Sequence, residues 1–99
     1  MKQYRFLKEA EAELHETIVY FDEQVAGLGM KFVLDVESVI TQIRRYPESG
    51  VRVAPHIRKR VLRIFQHSVL YRETADEIIV IAIAPHRRRP GYWRKRLKR

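Results

Sequence analysis

The spacing of apolar positions changes period once along this chain. Up to about residue 45 it follows a helix, and beyond residue 57 it follows the two-residue repeat of strands. Ala10, Leu14, Ile18, Phe21 and Val25 recur at intervals of four and three, which places them on one helical face. Glu9, Glu11 and Glu13 fall in the first turns, where carboxylates suit the helix dipole. Gly27 reads as the C-cap. A second helix is expected from Met30 to Arg45, with Phe32, Val36, Val39, Ile40 and Ile43 as its buried stripe and Pro47 as its stop. The short link GLG makes the pair an antiparallel hairpin. Ahead of it, Tyr4 to Leu7 reads as a short strand. The stretch PESGVRVAP, bounded by prolines, reads as a loop.

Three strands are expected after that: IRKRVLRIF, SVLYRE and EIIVIAIA. The links Gln66-His67 and Ala75-Asp76 are short enough for hairpins. With two-residue loops, residue 65 pairs with 68 and residue 74 with 77, and parity sorts the side chains. One face then carries Leu62, Ile64, Val69, Tyr71, Ile78, Val80 and Ala82, an apolar surface suited to the helical hairpin. The other carries Lys59, Arg63, Leu70, Arg72, Ile79, Ile81 and Ile83, half basic and half apolar. The last strand is apolar on both sides, so it belongs in the sheet centre, with its far side covered. Tyr92 and Trp93 follow within ten residues and are placed to fold back as that cover. The fold class is α+β. A short strand and a two-helix hairpin pack on one face of a mainly antiparallel sheet, with a basic tail RKRLKR, in a single domain over residues 1–99.

Charge sharpens this picture. The 99 residues carry a net charge of +8, but residues 1–50 hold six Lys/Arg and nine Asp/Glu, whereas residues 51–99 hold fourteen and three. An asymmetry of this size points to a polyanionic partner for the second half, nucleic acid or an acidic protein. No apolar run is long enough to span a bilayer, and the N-terminal stretch lacks the layout of a secretion signal. With no cysteine present, disulfides and thiolate zinc sites are excluded, and a cytoplasmic location is the expectation.

The candidate chemistry gathers after the last strand. His86 stands beside Arg87, Arg88 and Arg89. RNA cleavage needs a base, an acid for the leaving oxygen and cations on the phosphate. His86 fits either proton-transfer role and Tyr92 the other, while Arg63, Arg72 and Arg87 are placed to hold a phosphate. The plainer reading has His86 capping backbone groups at a strand end. Tyr92 and Trp93 either stack on bases or pack on the sheet. Glu13, Glu16 and Glu23 read as solvent-facing. His15, His56 and His67 share no metal-ligand spacing, and no cofactor motif is present.

RKRVLRIF, HSVLYR and EIIVIAIAPHRRRPGYW, in this order behind a helical hairpin, resemble the RelE/ParE superfamily of toxins from bacterial type II toxin–antitoxin modules, including its plasmid-stabilisation proteins. The resemblance covers nearly the whole chain. It implies a growth-inhibiting toxin neutralised by a cognate antitoxin, with a heterotetramer among the assemblies expected. It leaves two targets open. One branch cleaves messenger RNA on the ribosome without a metal, using residues that match Arg87 and Tyr92, with Lys59 or Arg63 for its basic strand. The ParE-type branch inhibits DNA gyrase without cutting RNA. Ser68 stands where the cleaving branch has an arginine, and His86 resembles a histidine found in some gyrase-directed members. The expectation therefore leans to gyrase. Lys59, Arg63, Arg72, Arg87, Arg88, Arg89 and Trp93 are the expected target-binding residues. An inactive nucleic-acid-binding module is the remaining alternative.

Overall fold

A computed structural model describes residues 1–98. The elements run β1 (Gln3–Phe6), α1 (Lys8–Gln24), α2 (Leu28–Arg45), β2 (Val51–Ala54), β3 (Ile57–Val61), β4 (His67–Glu73) and β5 (Glu77–Pro85). Single 3-10 turns lie at Pro47–Ser49 and Arg94–Lys98. The latter is most of the expected basic tail, whose last residue, Arg99, lies outside the described residues. The sheet order is β1-β5-β4-β3-β2. β1 runs parallel to β5, and every other pair is antiparallel.

The helical stripe behaves as its spacing predicts. Phe32, Val36, Val39, Ile40 and Ile43 are buried with Ala10 against Val69, Tyr71, Ile78, Val80 and Ile83. The turn between the helices differs from expectation. Val25 caps α1, and Gly27, at φ 87°, opens α2. An L side chain is strained in that left-handed conformation. Gly29 permits the close approach of the two helices: a Cβ there would sit 2.7 Å from the carbonyl oxygen of Ile18.

The loop expected over residues 47–55 contains β2, an edge strand too short to show a period. It turns into β3 through Pro55 and His56, the latter at φ 65°. β3 also ends four residues sooner than its composition suggests. Val61 pairs with Ser68, and Leu62 N–H donates to His67 O at 2.9 Å, so the link is residues 63–66. The cause is Asp35, 4% exposed on α2. Its carboxylate accepts the N–H groups of Arg63, Ile64 and Phe65 at 3.1, 2.8 and 3.1 Å, claiming donors that a strand would spend on its neighbour. Ile64 is consequently exposed rather than in the core, and Arg63 is off the sheet.

The second hairpin has the expected register at its tip, with Thr74 N–H donating to Glu77 O at 2.9 Å. Farther on, Tyr71 pairs with Val80 but Leu70 pairs with Ala82, so Ile81 is a bulge. A bulge inverts the facing of everything beyond it. Ile83 turns to the helices, and Ala82 and Ala84 turn to the opposite face, the reverse of the parity expectation. There they join Ile57, Leu70, Ile81 and Trp93 in a second apolar cluster.

Asp35→Ala should remove three charge-assisted acceptors and destabilise the protein by about 3 kcal/mol, read by urea denaturation. A loss below about 0.5 kcal/mol would mean the 63–66 turn is held by other contacts.

Candidate functional site

β1 stops at Phe6, so among the described residues the outer edge of β5 has no strand partner beyond Val80. Side chains take over there. Glu13, from α1, accepts the Ile83 N–H at 3.1 Å. Its carboxylate also accepts the Tyr92 hydroxyl at 2.6 Å and both terminal nitrogens of Arg96 at 2.9 and 2.8 Å. Arg96 donates once more, to Ile81 O at 3.0 Å. Glu13 and Arg96 side chains are only 15% and 14% exposed. Glu13 is therefore a buried hub and not the solvent-facing residue its class suggests. Its position three residues after Ala10 and one before Leu14 was the available signal, because both lie on the packed stripe.

This clamp fixes the C-terminal segment across the second face of the sheet. Trp93 is 5% exposed on the Ile57–Leu70–Ala82 cluster, so it is a cover and not a stacking platform. The Tyr92 ring lies beneath Arg88, 3.8 Å from the ring centroid, and beside Arg96 at 5.1 Å. Burial first, and then its bond to Glu13, raise the pKa of the Tyr92 phenol well above the ordinary value.

The segment and sheet enclose a cleft of about 330 Å³. Lys59 lines one wall from β3, and Arg88, Arg89 and Arg94 line the other. His86 sits at its end, its Nε2 2.9 Å from the hydroxyl of Ser68, itself 1% exposed. Arg94 is a site residue that the sequence did not single out, and Ser68, noted there only for the arginine it replaces, proves to be the partner of His86. A second cavity of about 330 Å³ opens on the α1 side of the same strand end. It is lined by Glu16, Tyr20, Phe21, His67 and Arg87, with His86 shared between the two.

The expected arginines do not converge. Arg87 lines only the α1-side cavity and Arg63 belongs to the Asp35 turn. Arg72 pairs with Ile79 on the cleft's side of the sheet, but four residues beyond Ser68 on β4, or about 13 Å along the strand. Lys59, Arg88 and Arg89 do come together, with Trp93 as the floor.

His67 packs edge-on against Phe32 and Phe21, with ring centroids 4.9 and 6.0 Å away. Its Nδ1 is buried without a hydrogen-bond partner among the described residues. Burial, then the nearby His86 and Arg87, lower its pKa.

The family model described as "ParE toxin of type II toxin-antitoxin system, parDE" matches residues 4–90. The chain belongs to the ParE toxin family. Among solved structures, the chromosomal ParDE TA system from P. aeruginosa matches this ParE-family chain with a TM-score of 0.74. That likeness covers 86% of this chain and 96% of the other at 18% identity, and it is a likeness of fold. A search of curated proteins finds no match. The superfamily, the α+β fold and the type II toxin class expected from the sequence are thereby supported. Among the described residues, no helix is long and apolar enough to cross a membrane.

Glu13→Ala should free the tail of this ParE-family protein. The emission of Trp93, its one tryptophan, should shift to the red while far-UV circular dichroism is retained, at a cost of about 3 kcal/mol. An unshifted emission would show that apolar packing alone holds the segment. His67 predicts a pH effect. Above its ordinary value of 6.5 the ring is neutral folded or unfolded. As pH falls below that value the unfolded chain takes up a proton that the folded chain resists. Stability is then lost, by at most about 1.4 kcal/mol per pH unit, until the lowered folded value is passed. His67→Phe should flatten this part of the thermal-stability profile; an unchanged slope would assign it elsewhere.

Proposed function

We propose that this chain is a cytoplasmic toxin, neutralised by a cognate antitoxin, that stops growth by binding DNA gyrase rather than by cutting messenger RNA. The observation that carries this reading is the separation of the groups a ribonuclease would need. The Tyr92 hydroxyl is spent on Glu13. Arg87 lies on the α1 side of the strand end, away from the cleft that holds Arg88 and Arg89. His86 is bonded to Ser68, which stands where the cleaving branch carries an arginine. A base, an acid and a phosphate-holding cation are not aimed at one point, which proton transfer at a reacting phosphate requires. What remains is a fixed basic surface, and that suits recognition of a macromolecule.

The test is purified gyrase in a supercoiling assay, run beside a reconstituted translation reaction. Supercoiling should be inhibited by near-stoichiometric protein, with translation unaffected, and the antitoxin encoded beside the gene should relieve the inhibition. Arrest of translation that is abolished by His86→Ala with Arg87→Ala would instead establish the ribonuclease.

A further inference from the structure

The cleft between β3 and the C-terminal segment has a composition that binding to a folded protein surface does not by itself explain. Lys59, Arg88, Arg89 and Arg94 line it, and none of its lining residues is acidic. Four cations held around one cleft repel each other, a cost that an anion would relieve. Two of them are held in place by aromatic rings. Arg88 lies over Tyr92, and Arg94 lies 5.1 Å from the centroid of Trp93. A guanidinium stacked on a ring keeps its N–H edge available for an oxyanion.

The form of the cleft narrows the ligand. Its floor is already sealed: Leu70, Ala84 and Trp93 are 3%, 9% and 5% exposed, so the apolar side chains left for a partner lie at the rim, with Val61 the most exposed of them. No ring is free to stack on a base, because Trp93 is buried and Tyr92 is covered by Arg88. The formal charge that the cleft presents is all positive, from Lys59 on one wall and Arg88, Arg89 and Arg94 on the other. A polymer with a charge at every unit matches this better than a peptide with scattered carboxylates. We propose that this cleft binds the phosphodiester backbone of nucleic acid without regard to base sequence. Backbone contacts from Lys and Arg position a strand but carry no sequence information. This inference rests on the cleft and not on the gyrase target. It involves no strand scission.

The experiment is fluorescence anisotropy with the purified chain and a labelled 20-nucleotide single strand of mixed sequence, repeated with a second sequence of the same length and with the duplex. Saturable binding is expected, equal within about twofold for the two sequences. The logarithm of the binding constant should fall with the logarithm of salt with a slope of about −2 to −3 for the single strand, as about three to four neutralised phosphates give. Lys59→Ala with Arg89→Ala should weaken binding at least about tenfold and flatten that slope by about 1.4. Arg89→Glu, on an exposed turn, is the second variant should the first be poorly folded, and it should weaken binding in the same sense. Arg63→Ala with Arg72→Ala removes the same charge away from the cleft and should leave binding within about twofold. Equal loss in this control pair would assign the effect to net charge and overturn the proposal. So would failure to bind either form of the oligonucleotide, or displacement of the oligonucleotide by polyglutamate as effectively, charge for charge, as by unlabelled strand. The assay contains no gyrase, so its failure and that of the supercoiling test are separate.

Discussion

The carboxylate of Glu13 joins α1 to β5 and to two points of the segment that follows β5. It receives an N–H from β5, a hydroxyl from Tyr92 and a guanidinium from the last turn. Taking a carboxylate and a guanidinium out of water costs several kcal/mol each unless the remaining hydrogen-bond positions are filled. Here Arg96 donates two bonds to Glu13 and a third to the Ile81 carbonyl, and both carboxylate oxygens accept two bonds. The pair thus acts as a substitute for a longer β1. It satisfies backbone groups on the open edge of β5, and edge groups left bare would invite another strand. The same bonds hold the tail that closes the second apolar cluster.

The bulge at Ile81 makes that second cluster possible. An unbroken strand would send Ala82 to the helices and Ile83 to the tail. The inserted residue exchanges them. The bulkier Ile83 then fills the helix-side core, and two alanines face the segment that must lie close to the sheet. Small residues at those positions leave room for Trp93, which packs against Ala82, Ala84, Ile57 and Leu70. The arginine-rich turn begins directly after this strand. Its placement therefore depends on the bulge and on the clamp together, although neither contributes a charge to the cleft.

The concentration of charge has a structural counterpart. Arg58 and Arg60 are engaged locally, with the carbonyl of Gly50 at 2.9 Å and the hydroxyl of Ser49 at 2.8 Å. They brace the β2 turn beneath Tyr71, whose hydroxyl donates to Pro47 O at 2.7 Å. The basic residues of the second half thus include two distinct sets. One set serves the fold through hydrogen bonds to backbone and hydroxyl groups. Another set lines the cleft, where Arg88 and Arg94 are held on aromatic rings beside Lys59 and Arg89. Composition alone counts both sets equally.

The sequence by itself determined the elements with strong periodicity. The α2 stripe, the helical hairpin, a central last strand apolar on both faces and an aromatic cover over its far side all follow from spacing and polarity. Those are local properties, written within a few residues of where they act. Tertiary structure decided whatever depended on a distant partner. Asp35 ends β3 from the other side of the domain, so the composition of IRKRVLRIF could not show where the strand stops. Glu13 looks like any exposed helical carboxylate until Arg96, 83 residues later, arrives beside it. The bulge changes the facing of β5 without a mark in its apolar pattern, Asp35 draws Arg63 off the sheet, and Arg72 lies along β4 from Ser68, so Arg63, Arg72 and Arg87 do not form one site. Side-chain periodicity records which face of an element is buried. It carries no record of which remote donor or acceptor will meet that element, and here those meetings set the shape of the basic cleft.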